Sequence, residues 1–328
     1  ESLYIVDGTW QIFRAYYALI KNPRINSKGM DTSAIMGFMN SLFDVIKREQ
    51  PDHLAVCFDK DGSAERTELF PEYKANRSET PEDLPGQIER IEQILEAMNI
   101  PRLKLGGFEA DDIIGTLAKR ASADGYETLI CSNDKDILQL LDENTSAYNI
   151  KKDLLTDLAA LEANMGVTPE QFLDALALQG DTSDNIPGLP DVGPKTALAW
   201  IQKYGSIDNL YKHADEITGK RGESLRNNPD VVELSKELVT IDCQVPIEIE
   251  YDQMALKEPD NAKVAEVFTE LGFSRLLTQL GLSPTGDAAP QSGKPASTET
   301  SPGDTSPDRE LAPEGGEGTP ARAAIGEP

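Results

Sequence analysis

The chain has 328 residues, with 57 acidic against 31 basic side chains and a net charge of −26. That length suits about two domains with a sizeable buried core, and that charge excludes a uniformly basic coat for nucleic acid. No apolar run reaches the ~18 residues of a membrane span, and no basic flank precedes an apolar N-terminal stretch, so a soluble cytosolic protein is expected.

In chain order, Leu3-Tyr4-Ile5-Val6 has the length and β-branched content of a strand covered on both faces. Ile35, Met39, Leu42 and Ile46 then share one helical face, and Leu54 to Phe58 form a second strand run. Leu84, Ile88, Ile91, Leu95 and Met98 mark another helix, expected to open at Thr80 with Pro81 in its first position. Thr128-Leu129-Ile130-Cys131 is the third strand run. Strands separated by helices predict an α/β fold, a mostly parallel central sheet flanked by helices. From Thr168-Pro169-Glu170-Gln171, a capping-box start, the signals turn helical, with helices expected near 170–178, 194–203, 230–240 and 261–271. Weak strand-like residues at 247–251 carry no assignment. Residues 283–328 hold eight Pro and seven Gly without a single aromatic, the composition of a disordered tail or linker. Cys57, Cys131 and Cys243 stand far apart with no C-x-x-C pair, so reduced thiols are expected.

The aspartates stand where chemistry would be placed. Asp7 follows the first strand run, Asp59 the second, and Asp134 and Asp136 the third. Parallel sheets bind ligands outside the carboxyl ends of their strands. Glu109-Ala110-Asp111-Asp112 opens a helical pattern, and Asp181 and Asp184 lie in Gly180-Asp181-Thr182-Ser183-Asp184-Asn185 at the border with the helical part. Each group alone is ordinary cap or turn chemistry. Together at one edge they would repel and raise each other's pKa unless a cation neutralised them. Oxygen-only ligands suit magnesium or manganese, whereas zinc would usually recruit His or Cys. His53 and His213 are the only histidines, which disfavours His-based nucleophilic catalysis. Paired ions of this kind suit in-line displacement at phosphorus.

An acidic chain needs local footholds for nucleic acid. Gly8 to Met30 contains no acid but has Arg14, Lys21, Arg24 and Lys28 among Trp10, Phe13, Tyr16 and Tyr17, which serve equally as phosphate contacts with stacking faces or as a helix core. Arg66 to Arg77, with Phe70, Tyr73 and Lys74, reads by composition as a solvated loop. Gly188 to Ala197 places Gly193, Lys195 and Thr196 at a helix start able to receive a phosphate. Pro194 breaks the Gly-Lys adjacency that a nucleotide-binding P-loop needs, which leaves a helical hairpin that grips a backbone without reading bases.

The succession Val6-Asp7-Gly8, Phe58-Asp59, Glu72-Tyr73-Lys74-Ala75-Asn76-Arg77, Glu109 to Asp112, Asn133-Asp134-Lys135-Asp136, Gly180 to Gly188 and Val192 to Ala197 closely resembles the bacterial 5′-nuclease family over about residues 2–282. That family includes the 5′→3′ exonuclease domain of DNA polymerase I and is related to flap endonucleases. The resemblance implies a PIN-like nuclease domain over 1–167 with a helical arch near 60–98. A helical DNA-binding lobe with a helix-two-turn-helix would span 168–282, and a linker 283–328. It implies two divalent metals, Mg2+ or Mn2+: Asp7, Asp59, Glu109, Asp111 and Asp112 around the first, Asp134, Asp136, Asp181 and Asp184 around the second. Lys74 and Arg77 would meet the scissile or neighbouring phosphate, with Asp111 and Asp112 counted among the catalytic groups. Arg14, Arg66, Tyr73, Gly188, Val192, Gly193, Lys195 and Thr196 would contact DNA, with a monovalent cation at the hairpin. The expected activity is cleavage of duplex DNA at a 5′ end, flap or junction, RNA–DNA primers included. A monomer acting at the bacterial nucleoid and joined to a downstream polymerase domain is expected. An inactive junction-binding module and an RNA-cleaving relative are the alternatives.

Overall fold

Ser2–Asp7 (β1) is buried from Leu3 onward, and its side chains divide by parity: Leu3 and Ile5 join the core on one face, Tyr4 and Val6 the core on the other. The chain turns at once into Gly8–Leu19 (α1), and this pattern of strand and covering helix recurs. Ser33–Glu49 (α2) precedes His53–Cys57 (β2), and Ala64–Leu69 (α3) and Leu84–Ala97 (α4) precede the short Arg102–Leu103 (β3). Ala110–Ala123 (α5) leads to Glu127–Cys131 (β4), then a 3-10 turn at Lys135–Leu140, Thr145–Asn149 (β5) and Leu154–Thr156 (β6). The computed structural model describes residues 1–285, so the linker expected over 283–328 lies almost wholly outside the described residues.

The sheet order is β3-β2-β1-β4-β5-β6, parallel throughout except for β6 against β5. β1 is the switch point: the chain adds β2 on one side and β4 on the other, which opens a crevice at the carboxyl end of β1. Register places Asp7 opposite Cys57 and Val6 opposite Cys131, so Asp7 stands level with the exits of both neighbours. One face of the sheet is covered by α1, α2 and α4, the other by α5 and the 3-10 turn.

Leu158–Met165 (α6) leads to a third core built from Pro169–Gln179 (α7), Pro194–Tyr204 (α8), Ile207–Lys212 (α9), Gly219–Asn227 (α10) and Pro229–Val239 (α11). Both halves of the expected capping box form: the Gln171 N–H donates to Thr168 Oγ1 at 3.3 Å, and the Thr168 N–H to Gln171 Oε1 at 3.0 Å. Beyond Val239 the chain returns to the sheet lobe through Tyr251–Met254 (α12), Asn261–Leu271 (α13) and Ser274–Gln279 (α14). Val264 and Phe268 of α13 pack in the core with α4, so the stretch expected as one lobe over 168–282 divides near 240. Residues 247–251 form no strand.

Two further expectations shift. The helix expected from Thr80 begins at Leu84, because Pro81 sits in a turn closed by the Leu84 N–H on Pro81 O at 3.0 Å. Of the stretch expected as an arch over 60–98, α4 is a core helix with Leu84, Ile91, Ile94 and Leu95 fully buried. Cys57, Cys131 and Cys243 are unpaired, as expected. Among the described residues no helix is long and apolar enough to cross a membrane.

Candidate active site at the carboxyl edge of the sheet

Close backbone approach creates the crevice. A side chain at Gly8 would strike Phe58 at 2.4 Å and Cys57 O at 2.8 Å, so glycine lets the β1 exit lie against the β2 exit and brings Asp7 beside Asp59. Asp7 caps α1, accepting from the Trp10 N–H at 2.9 Å, and takes a second hydrogen bond from Ser132 Oγ at 2.8 Å. Burial pushes its pKa up to about 7; the two hydrogen bonds oppose that rise, and the charges of Asp59 and Asp134 add to it. Asp59 accepts from the Ala110 N–H at 2.7 Å, which ties β2 to the start of α5. Asp111, one residue into that helix, is pushed well above the carboxylate range by burial and then by Asp7, Asp134 and Asp59. Asp7, Asp59, Glu109, Asp111 and Asp134 all line one cleft of about 650 Å³.

Further acids run from the β4 exit toward the helical lobe, and of these only Asp134 lines the cleft itself. Asp134 caps the 3-10 turn, accepting from the Asp136 N–H at 3.0 Å. Asp136 is raised to about 7 by burial and by Asp134, and its Oδ1 is buried without a hydrogen-bond partner. Asp181 and Asp184 come from a loop that two glycines close: Gly180 and Gly188 both have positive φ, and a side chain on either would overlap backbone of the other strand of the loop at 2.3 Å. Burial raises the Asp181 pKa, but Lys135 at 2.6 Å and the Ser183 N–H bring it below the ordinary value.

The segment between α3 and α4 packs down onto this loop. The Lys74 N–H donates to Asp184 O at 2.8 Å, Asn76 reaches Thr182 O and Asn185 reaches Glu72 O. Lys74, in the left-handed backbone region at φ 57°, pairs with Glu109 and lies 3.7 Å from Asp184. Arg77 Nε donates to Asp184 at 3.1 Å. Lys74 and Arg77 thus reach the cleft, alongside Trp10, Phe13 and Tyr17 of α1.

Several sequence-derived roles change. Tyr73, expected to stack on a base, is buried in the helical core and donates to Glu109 at 2.9 Å. Arg66, expected on DNA, is buried and binds Asp112 through both terminal nitrogens at 2.8 and 2.7 Å. Asp112, expected among the metal ligands and catalytic groups, is absent from the cleft wall; both its oxygens are engaged by Arg66 and by the N–H groups of Glu109 and Asp242. The i, i+1 spacing of Asp111 and Asp112 explains the division, since adjacent helical residues face different directions. Arg14 is half-buried, bound to Gln11 and Ser41 and lying over Trp10. Val192 is a core residue, and the Gly188 N–H goes to Ser235 Oγ at 3.1 Å. Gly193 and Lys195 are exposed and Thr196 half-buried at the start of α8, which has neither an acid in its first turn nor a side-chain cap. Residues not singled out from sequence are Ser132, Lys135 and Thr9, whose Oγ1 accepts from the Asp59 N–H at 2.8 Å. Their adjacency to the motif acids was the available signal.

Among the described residues no three acidic, His or Cys side chains close on one point. The orphaned Asp136 oxygen and the raised pKa values of Asp7 and Asp111 show carboxylates whose charge lacks compensation inside the protein.

A parallel sheet that delivers acids from separate strand ends to its switch point, flanked by a paired-helix lobe, is the architecture of a 5′-nuclease domain. The chain belongs to the 5′-3′ exonuclease family: residues 2–166 match its N-terminal resolvase-like domain and residues 167–262 its C-terminal SAM fold. It is 38% identical over 280 residues to a 5′-3′ exonuclease of Aquifex aeolicus, covering 85% of this chain and 95% of that protein. It is also 38% identical over 287 residues to DNA polymerase I of Bacillus caldotenax, but there 85% of this chain corresponds to 32% of the relative, so the chain spans about a third of that polymerase. Among solved structures, the bacteriophage T5 D15 flap endonuclease in a pseudo-enzyme–product complex with DNA and metal ions superposes with a TM-score of 0.57 at 25% identity, over 74% of this chain and 89% of that one.

Proposed function

We propose that this chain hydrolyses DNA phosphodiesters from a 5′ end and at flaps or junctions, RNA–DNA primers included, and that it does so with two divalent metals. The observation that carries this reading is the convergence of Asp7, Asp59 and Asp111 on one cleft at the switch point, where burial raises Asp7 and Asp111 and the charge of Asp59 adds to both. Asp7, Asp59, Glu109 and Asp111 would hold one ion, and Asp134, Asp136, Asp181 and Asp184 the other. Two magnesium or manganese ions would supply positive charge and an activated water for in-line displacement. Lys74 and Arg77 stand at the same cleft and would offset charge that builds on the phosphoryl oxygens. The aromatic wall of Trp10, Phe13 and Tyr17 offers stacking faces to unpaired nucleotides. The uncapped start of α8, with Lys195, would hold the duplex backbone, and the turn before it would seat a monovalent cation. All of these groups come from one chain, which supports action as a monomer. Bacterial relatives about three times as long support the further reading that this is the nuclease portion of a DNA polymerase I acting on the nucleoid.

A duplex with a 5′ flap, labelled at the flap end, should be cut in magnesium and remain intact in chelator. Binding without cleavage in magnesium, manganese and cobalt would leave only a junction-binding module. Preferential cutting of single-stranded RNA would instead make the chain an RNA-cleaving relative.

A further inference from the structure

Arg66 lies apart from the cleft, nearly buried at the wall of a second pocket that Asp112 also lines, and every donor of its guanidinium is engaged. Nε donates to Leu238 O at 3.1 Å and Nη2 to Thr240 O at 2.8 Å. The two terminal nitrogens clamp Asp112 at 2.7 and 2.8 Å, and Nη1 also reaches Glu109 at 3.3 Å. Asp112 is as fully engaged, accepting from the Glu109 N–H at 3.1 Å and the Asp242 N–H at 3.0 Å. One buried pair therefore joins three parts of the molecule. Arg66 stands on α3, which runs directly into the segment carrying Lys74. Asp112 fixes the first turn of α5, where Glu109 and Asp111 face the cleft. Leu238 and Thr240 are the carbonyl end of α11 in the helical lobe, the end of a helix that favours a cation.

We propose that the Arg66–Asp112 pair is a positioning clasp, which transmits the seating of duplex on the helical lobe to the aim of Glu109, Asp111 and Lys74. It rests on the nuclease reading above for what is being aimed. Only a planar guanidinium can make the bidentate carboxylate contact and reach two carbonyls at once; a lysine ammonium keeps the charge but not the fork.

The test is Arg66→Lys and Asp112→Asn, singly and together, with steady-state cleavage of a flap duplex in saturating magnesium, duplex affinity in calcium, and hydrogen exchange. Each single variant should lose roughly 10- to 100-fold in kcat, the range for partners that orient ligand groups, with KM and duplex affinity within about twofold. The double variant should lose no more than the worse single, since the two residues act as one unit. Exchange at the Lys74 and Asp242 amides should speed up while β1 and β4 amides stay protected. A wild-type kcat in Arg66→Lys, or a loss confined to KM and duplex affinity, overturns the clasp. So does weaker magnesium binding by Asp112→Asn in calorimetry with unchanged exchange, which would make Asp112 a ligand. If wild type cleaves no substrate, the nuclease reading fails, and unchanged exchange would still sink the clasp on its own. Should Arg66→Lys fail to fold, the exchange and kcat of Asp112→Asn decide.

Discussion

The acids at the sheet edge and those on the glycine-closed loop of the helical lobe carry their charge differently. Asp7, Asp59 and Asp111 form no ion pair among the described residues, and all three have raised pKa values led by burial. Asp181 and Asp184, on the glycine-closed loop, each hold a base of their own, Lys135 and Arg77, and Asp181 is lowered. The same residue type thus moves in opposite directions among neighbouring acids, and the local partner decides which. Where the protein supplies the cation, the carboxylate stabilises the fold; where it does not, the carboxylate destabilises the fold until an ion arrives.

The largest test of that contrast pairs Asp111→Asn with Asp181→Asn. Asp111→Asn should lose on the order of 10³-fold in kcat, as removal of a group that organises charge at the reacting centre does. In chelator the same variant should melt higher than wild type, by about 1–2 kcal/mol, because a buried repelling charge has gone. Asp181→Asn should melt lower by about 1 kcal/mol, since Lys135 loses its partner at a half-exposed site, and should lose only roughly 10- to 100-fold in activity. Melting shifts of the same sign in chelator would erase the distinction between the two sides.

Lys74→Ala comes next, at about 10²-fold in kcat. Among the described residues Lys74 is the base that bridges the two groups, pairing with Glu109 and approaching Asp184. Duplex affinity should change little, which single-turnover cleavage alongside equilibrium binding would read. An unchanged kcat would make Lys74 a structural tie between the two loops.

The pH dependence of stability separates by sign the acids that hold a base from those that do not. Asp7 and Asp136 both rise from 3.8 to about 7 on folding. Between those values the folded chain holds more protons than the unfolded one, so stability without metal falls as pH climbs from about 4 to about 7. Asp181 is lowered, so its contribution is present above its ordinary range and disappears as pH falls through its folded value. Urea midpoints in chelator should be lower at pH 7.5 than at pH 5, and magnesium should close that gap. A flat profile would mean that the sheet-side acids are solvated.

How far the sequence reached follows from the same physics. β1, β2 and β4 were legible because each is an apolar run between helical patterns, and their carboxyl ends placed Asp7, Asp59 and Asp134 at one edge. β3 has two residues, and Thr145–Asn149 is too polar to announce a buried strand, so β3, β5 and β6 left no signal. Asp112 and Arg66 looked like site residues because composition cannot show which face of a first helical turn a carboxylate takes. Their pairing spans 46 residues and closes on carbonyls of α11, a tertiary fact with no local trace. Tyr73 failed likewise: its neighbours Lys74 and Arg77 reach the cleft while its ring packs under the helical lobe.

The smallest expected effect tests the far end of the comparison, where positive charge stands without an acid. α8 opens with Pro194, which has no N–H to leave unsatisfied, and its first turn carries no acid and no side-chain cap. Lys195 is exposed beside those amides. On a chain of net charge −26, such a point is where a duplex phosphate would be tolerated. Lys195→Ala should weaken duplex binding a few-fold, equally for all sequences, and reduce the slope of log affinity against log salt by about 1. Its kcat at saturating duplex should stay within about twofold, since the residue stands outside the cleft. Titrations at three salt concentrations would read the slope, and an unchanged slope would move the duplex away from this helix start.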